Sequence, residues 1–288
     1  MQGYAAHVLT LFALAMLCSS SAGAQEPFEG PLVPLGEGAG LRFFPAANLH
    51  DRYVADPRQS FMKLAYLRML ETDTTDIGQN FFSVSLGGRV RLAQIHPAGH
   101  PELGVVFSIE AGFIGIFDLD AQYDGVGWNG YYAFRLGGAF SEQISWKLAI
   151  QHDSGHIADE YIAKTGRERV IYTREEVALA VAYEPVPFLR AYADGGWAYH
   201  LNRDMEPWRF QGGLEVHNDH LFAAMDSTFW QELDWAATGT WMAGVKWSVE
   251  PTSRHYRLAV QYESGRSVLS EFYLENNRTL SFGLWADM

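Results

Sequence analysis

Cysteine is almost absent: the 288 residues hold one, Cys18. It lies in an apolar run over residues 8–18 (VLTLFALAMLC), which Ser-rich residues and Ala22-Gly23-Ala24 follow. This pattern predicts a secretory signal over residues 1–24, cleaved before Gln25, although its MQGYAAH start carries neither Lys nor Arg. An exported chain that sheds its single cysteine has no disulfide framework, no cysteine-zinc site and no thiolate nucleophile. Positive charge is also scarce. With Lys+Arg 21 against Asp+Glu 34, the net charge of −13 excludes a nucleic-acid binder. Beyond residue 24 no stretch approaches the ~20 consecutive apolar residues of a membrane helix. Phosphate loops, zinc signatures and Gly-x-Ser-x-Gly elbows are missing as well.

Glycine and aromatics are what the chain has in quantity: 28 Gly, 9 Trp, 14 Tyr and 18 Phe. Residues 25–59, punctuated by Pro31, Pro34, Pro45 and Pro57, have little periodicity and read as an irregular periplasmic leader. From residue 60 to 288 the pattern alternates with period two, which is strand geometry. Ile144, Trp146, Leu148 and Ile150 oppose Ser145, Lys147 and Ala149, and Tyr256, Leu258, Val260 and Tyr262 oppose Arg257, Gln261 and Glu263. About twelve such segments are expected, near 60–70, 80–94, 104–118, 129–141, 143–154, 174–185, 187–201, 206–217, 219–229, 237–250, 253–265 and 277–287. Tight connections alternate with longer polar ones.

The polar face decides what kind of sheet this is. It carries both signs, among them Arg89, Arg91, Glu110, Arg135, Lys147, Asp194, Arg209 and Glu215, which can pair across a narrow lumen. The apolar face carries Trp146, Trp208, Trp241 and Trp247, placed as an aromatic girdle would be. The fold class expected is all-β: a closed antiparallel transmembrane barrel of about twelve strands in the bacterial outer membrane. Its expected partners are outer-membrane lipids, lipopolysaccharide and the barrel-assembly machinery, although the chain ends on Met288 rather than an aromatic residue. No cofactor is expected.

Residues 151–161, QHDSGHIADEY, resemble the signature of a bacterial outer-membrane family known as domain of unknown function 1207. Its His-x-Ser-x-His-x-x-Asp-Glu-aromatic pattern matches His152, Ser154, His156, Asp159, Glu160 and Tyr161. Residues 55–58 (ADPR), 117–120 (FDLD) and 174–183 are similar too. The resemblance spans most of the mature chain, implies an outer-membrane setting and carries no settled activity.

The same motif holds the residues that could do chemistry. His152 and Ser154 continue the outward parity of Ile150, at the long-loop end. An imidazole two residues from a serine can serve as base to a nucleophilic hydroxyl, provided a third group orients it. Aligning the tight turns near Glu142 and Val186 sets Glu175 opposite Ser154, which makes Glu175 the orienting candidate ahead of Glu160 and Asp159. This His-Asp-Ser also resembles the His-x-Ser of outer-membrane phospholipase A and of lipid A deacylases. Those families follow the serine with Asn and then Gly or Ala, where this chain has Gly155 and His156. The bland alternative is that His156, Asp159 and Glu160 merely fold the loop. They could also hold a hard cation against lipopolysaccharide phosphates. The leading reading is a scaffold or narrow passage without catalysis. An outer-leaflet serine lipid hydrolase through His152, Ser154 and Glu175 comes second, and a selective pore third.

Overall fold

A computed structural model of the chain describes residues 30–36, 38–46, 48–59, 62–97, 99–202, 205–249 and 254–287. The expected signal over residues 1–24, with Cys18, and the terminal Met288 lie outside these residues. The strands are β1 Leu32–Pro34, β2 Ala39–Phe43, β3 Met62–Thr72, β4 Asn80–Pro97, β5 Val105–Asp118, β6 Asp124–Ser141 and β7 Ile144–Ile157. They continue with β8 Tyr172–Val186, β9 Leu189–Leu201, β10 Trp208–His217, β11 Leu221–Trp230, β12 Ala237–Val249, β13 Arg254–Arg266 and β14 Asn276–Asp287. One helix, α1 Asp159–Thr165, stands in the β7–β8 loop and ends on Gly166, whose φ of 68° is the left-handed closure that glycine adopts without strain.

Strands β3 to β14 each pair antiparallel with the next, and β14 pairs back onto β3 (Ala286 with Met62 through to Asn277 with Thr72). Strands β3 to β14 thus close into a twelve-stranded barrel, so none of the twelve is left as an open edge of the cylinder. The alternation read from the sequence maps directly onto its wall. Leu86, Ile150, Leu179, Phe210 and Phe282 project outward and are about half exposed, whereas Lys147, Asp194, Arg209 and Glu215 on the inner face are buried.

The lumen is filled with charge pairs. Glu110 receives Arg89 and Arg135, both at 3.0 Å. Asp194 receives Lys147 at 2.5 Å and Arg209 at 2.8 Å, and Arg209 reaches Glu176 at 2.6 Å. Pairing of this kind is what allows ionised groups to remain buried, since an unpaired one would be costly.

The segment expected to be an irregular leader differs from that expectation in two ways. Strands β1 and β2 pair antiparallel and continue the sheet through the pairing of β2 with β4 (Ala39 with Pro97 to Phe43 with Ala93) beyond the end of β3. Residues 48–59 then enter the barrel. Tyr53 stacks on Tyr192 with ring centroids 3.8 Å apart and donates a hydrogen bond to Asp194. The carbonyls of Asp51 and Arg52 accept from Arg190, and the Val54 amide donates to Glu215 at 2.7 Å. Arg58 pairs with Asp153 at 3.5 Å. The wall charges bind this plug as well as each other, a role invisible in the proline pattern.

The opposite, long-loop end is closed by apolar packing. Leu67, Met69, Phe81, Ile116, Val126 and Ile157 on the wall meet Tyr161 from α1 and Leu269 and Phe272 from the β13–β14 loop. Glu271 fixes that loop by accepting from the backbone amides of Ile157 (2.9 Å) and Val170 (3.0 Å). Between plug and seal, the cavity around Asp56, Arg135, Gln151 and Trp230 measures about 60 Å³. That is room for about two waters.

Candidate functional site

The outer wall at the long-loop end brings three of the sequence candidates to one place. On β7, His152 and Ser154 both face outward, and register pairs them with Tyr132 and Gly130 of β6. On the other side, β8 sets Glu175 opposite His152 and Thr173 opposite Ser154. The expectation that Glu175 lies opposite Ser154 is therefore corrected by two residues. Such a slip preserves parity, so Glu175 remains on the outer face.

His152 Nδ1 lies 3.5 Å from Glu175 Oε1, with both side chains partly exposed. The imidazole stacks on Tyr132, centroids 4.6 Å apart and planes 15° apart. The other carboxylate oxygen of Glu175 accepts a 2.9 Å hydrogen bond from Tyr199. A bulge explains that reach. The β8–β9 register runs from Glu176–Ala198 to Glu175–His200, leaving Tyr199 as the extra residue. The ring of His152 stacks on Tyr132, and its Nδ1, which makes no hydrogen bond, lies at charge-contact distance from a carboxylate that Tyr199 anchors.

Ser154 Oγ donates to the Gly130 carbonyl at 3.5 Å, a long and weak contact that leaves the hydroxyl available. Glycine at 130 keeps the neighbouring wall low, since a Cβ there would sit 3.5 Å from Ser154 Oγ and 3.5 Å from the Trp128 ring. The serine occupies a notch between the rings of Trp128 and Tyr132.

The rest of the motif divides between two tasks. His156 faces outward beside Trp128, their ring centroids 4.2 Å apart. Asp159 pairs with Arg169 at 2.5 Å, and Glu160 stands over Gly125. Neither acid is His152's partner. Tyr161 turns inward into the loop-end seal and donates to the Thr75 carbonyl at 2.8 Å. Among the described residues no group of three His, Cys, Asp or Glu is placed to hold a metal ion, and His156, Asp159 and Glu160 have these other neighbours instead. Two of the other matched segments are structural: Asp56 and Arg58 sit in the plug. Asp118 and Asp120 clamp the β3–β4 loop, Asp118 accepting from Gly78 and Asp120 from Gln79 and Asn80. Gly130, Tyr132 and Tyr199 escape a sequence reading because two are ordinary wall aromatics and the third is a glycine among 28.

Above the notch, towards the loops, the outer wall opens into a cleft of about 740 Å³ between β5, β6, β7 and α1. The β5–β6 turn overhangs it with two residues, Gln122 and Tyr123, in the left-handed region at φ 58° and 70°. That conformation is strained for a bulky side chain.

Known structures resemble this barrel at low sequence identity. The outer membrane phospholipase A of Escherichia coli superposes with a TM-score of 0.54 at 12% identity, over 78% of this chain and 92% of that one. The Salmonella typhi outer membrane phospholipase, crystallised as a dimer with bound calcium, gives 0.53 at 13% identity, over 83% and 94%. At such identities the likeness speaks for the fold. No curated protein matches the chain. The family model described as protein of unknown function DUF1207 matches residues 40–286, and the chain belongs to that family.

Proposed function

We propose that this protein is a serine hydrolase of lipid esters in the outer leaflet of a bacterial outer membrane. The observation that carries the reading is the His152–Glu175 contact beside Ser154 on the lipid-facing wall. A histidine stacked on a tyrosine, with an anchored carboxylate at Nδ1, is more order than a rim residue needs. The passage reading loses support from the plug and the loop-end seal, with a small lumen cavity of about 60 Å³ between them.

In this mechanism Ser154 Oγ attacks the ester carbonyl carbon and its proton moves to His152 Nε2. Glu175 stabilises the imidazolium through Nδ1–H, and Tyr199 keeps the carboxylate in place. The tetrahedral intermediate expels the alcohol, which takes the proton from Nε2, leaving acyl-Ser154. Water, deprotonated by the same nitrogen, releases the fatty acid. The 3.5 Å His152–Glu175 spacing is of the kind that tightens when substrate binds.

The test is fatty acid release from phospholipid and lipopolysaccharide by refolded protein, followed by mass spectrometry. Ser154→Ala and His152→Ala should each lower release by about a thousandfold or more, with the barrel still folded. Release that persists in Ser154→Ala would overturn the assignment, and no release from the unmodified protein would return the scaffold reading to first place.

A further inference from the structure

We infer that the cleft beside α1 is a headgroup subsite selecting an ammonium-bearing, zwitterionic phospholipid. The inference rests on the hydrolase reading for its place in a reaction, and on the cleft itself for its chemistry.

Position comes first. His156 follows Ser154 by two residues on the same face of β7, which places it about 7 Å nearer the loops. Register sets Trp128 beside His156 and Gly130 beside Ser154. In a leaflet whose headgroups lie at the loop end, a lipid with its ester carbonyl at Ser154 runs its acyl chains down over Tyr132, Ile150 and Phe134. Its headgroup rises into the row of Trp128 and His156, which lines the cleft.

Charge then selects among headgroups. Three carboxylates line the cleft, Asp124, Asp159 and Glu160, against one cation, Arg169. Arg169 is already matched by Asp159. Asp124 and Glu160 have no cationic partner among the described residues. Much of the remaining wall is aromatic, from Phe113, Phe117, Tyr123 and Trp128, with Ile116, Ile157 and Ala158 between. Carboxylates over aromatic faces suit an ammonium, which gains both Coulomb and cation–π attraction. The same wall repels a headgroup whose only charge is phosphate, and repels the phosphates of lipid A most of all. Gly115 and Gly125 keep this room open. A Cβ on Gly115 would meet the rings of Phe113 and Phe117 at 3.0 and 3.3 Å, and one on Gly125 would meet Ala158 Cβ at 3.0 Å.

The experiment uses the full chain carrying Ser154→Ala, so that bound lipid stays intact. It is equilibrated in detergent with equal amounts of phosphatidylethanolamine and phosphatidylglycerol, in the presence of a chelator. Retained lipid, quantified by native mass spectrometry, should favour the ethanolamine lipid by about fivefold or more. Adding Asp124→Asn and Glu160→Gln should bring the ratio to that of the bulk micelle. Hydrolysis by the unmodified protein should follow the same order of preference. Equal retention, a preference for the glycerol lipid, or a preference unchanged by the two neutralising substitutions would overturn the inference. A clear ethanolamine preference with no hydrolysis would leave the subsite standing and remove the hydrolase reading.

Discussion

Tyr199 on β9 donates its phenolic hydrogen to Glu175 at 2.9 Å, and the same carboxylate lies 3.5 Å from a histidine two strands away. Tyr199 reaches the carboxylate because the bulge makes it the extra residue beside Glu175. On the hydrolase reading, Tyr199 is a positioning residue that acts through Glu175. Tyr199→Phe should lower the rate of fatty acid release about tenfold, equivalent to ~1.4 kcal/mol. Glu175→Gln should cost more, since it removes the charge that stabilises the imidazolium. The check is the pH profile of kcat: both variants should displace its acid limb, which a substitution that merely loosens the barrel would leave in place.

Arg209 holds two buried carboxylates at once, Glu176 at 2.6 Å and Asp194 at 2.8 Å. Arg209→Ala leaves Asp194 to Lys147 alone and Glu176 to Arg174 alone in a water-poor lumen, and should remove about 2–3 kcal/mol. Urea unfolding in liposomes, followed through the tryptophans, measures it. Combining Arg209→Ala with Glu176→Gln should cost less than the sum of the two, because both changes remove the same Arg209–Glu176 contact.

The plug and the seal predict an electrically silent barrel. In planar bilayers the full chain should show no steady conductance, and Arg89→Glu should change nothing at the level of current. That substitution should instead weaken folding, since Arg89 binds Glu110 and also the Asn48 side chain and the His50 carbonyl of the plug. Sustained, charge-sensitive current through the unmodified protein would overturn this closed state.

Asp120, in the loop between β5 and β6, gives a pH dependence. The Asn80 amide, together with the backbone N–H groups of Gln79 and Asn80, holds its carboxyl below the usual range. A carboxyl whose pKa falls on folding stabilises the clamp fully above its unfolded pKa, near 3.9, and loses that contribution as the pH drops through the folded value. Protection from hydrogen exchange over residues 73–80, taken relative to the intrinsic rate at each pH, should therefore be high at pH 6 and fall below about pH 4. Asp120→Asn should show the lower protection at pH 6, and the difference should shrink as the pH drops.

The strand count, the inverted faces and the outward placing of His152, Ser154 and Glu175 were all legible in the sequence by itself. Each depends on a period of two, which neighbouring residues impose on one another without help from the rest of the chain. Which residue meets which was not legible. Parity says only that Glu175 shares a face with His152 and Ser154, and a stagger of two residues leaves that unchanged. The choice between the two partners comes from the shear of the closed barrel and the fourteen residues, 158–171, that link β7 to β8. The plug was hidden for a related reason. Residues 48–59 have no periodicity of their own, because their shape comes from the charges of Arg89, Arg190, Asp194 and Glu215 that surround them. Local alternation determined the wall, whereas closure of the wall decided what fills it and which residues lie beside Ser154.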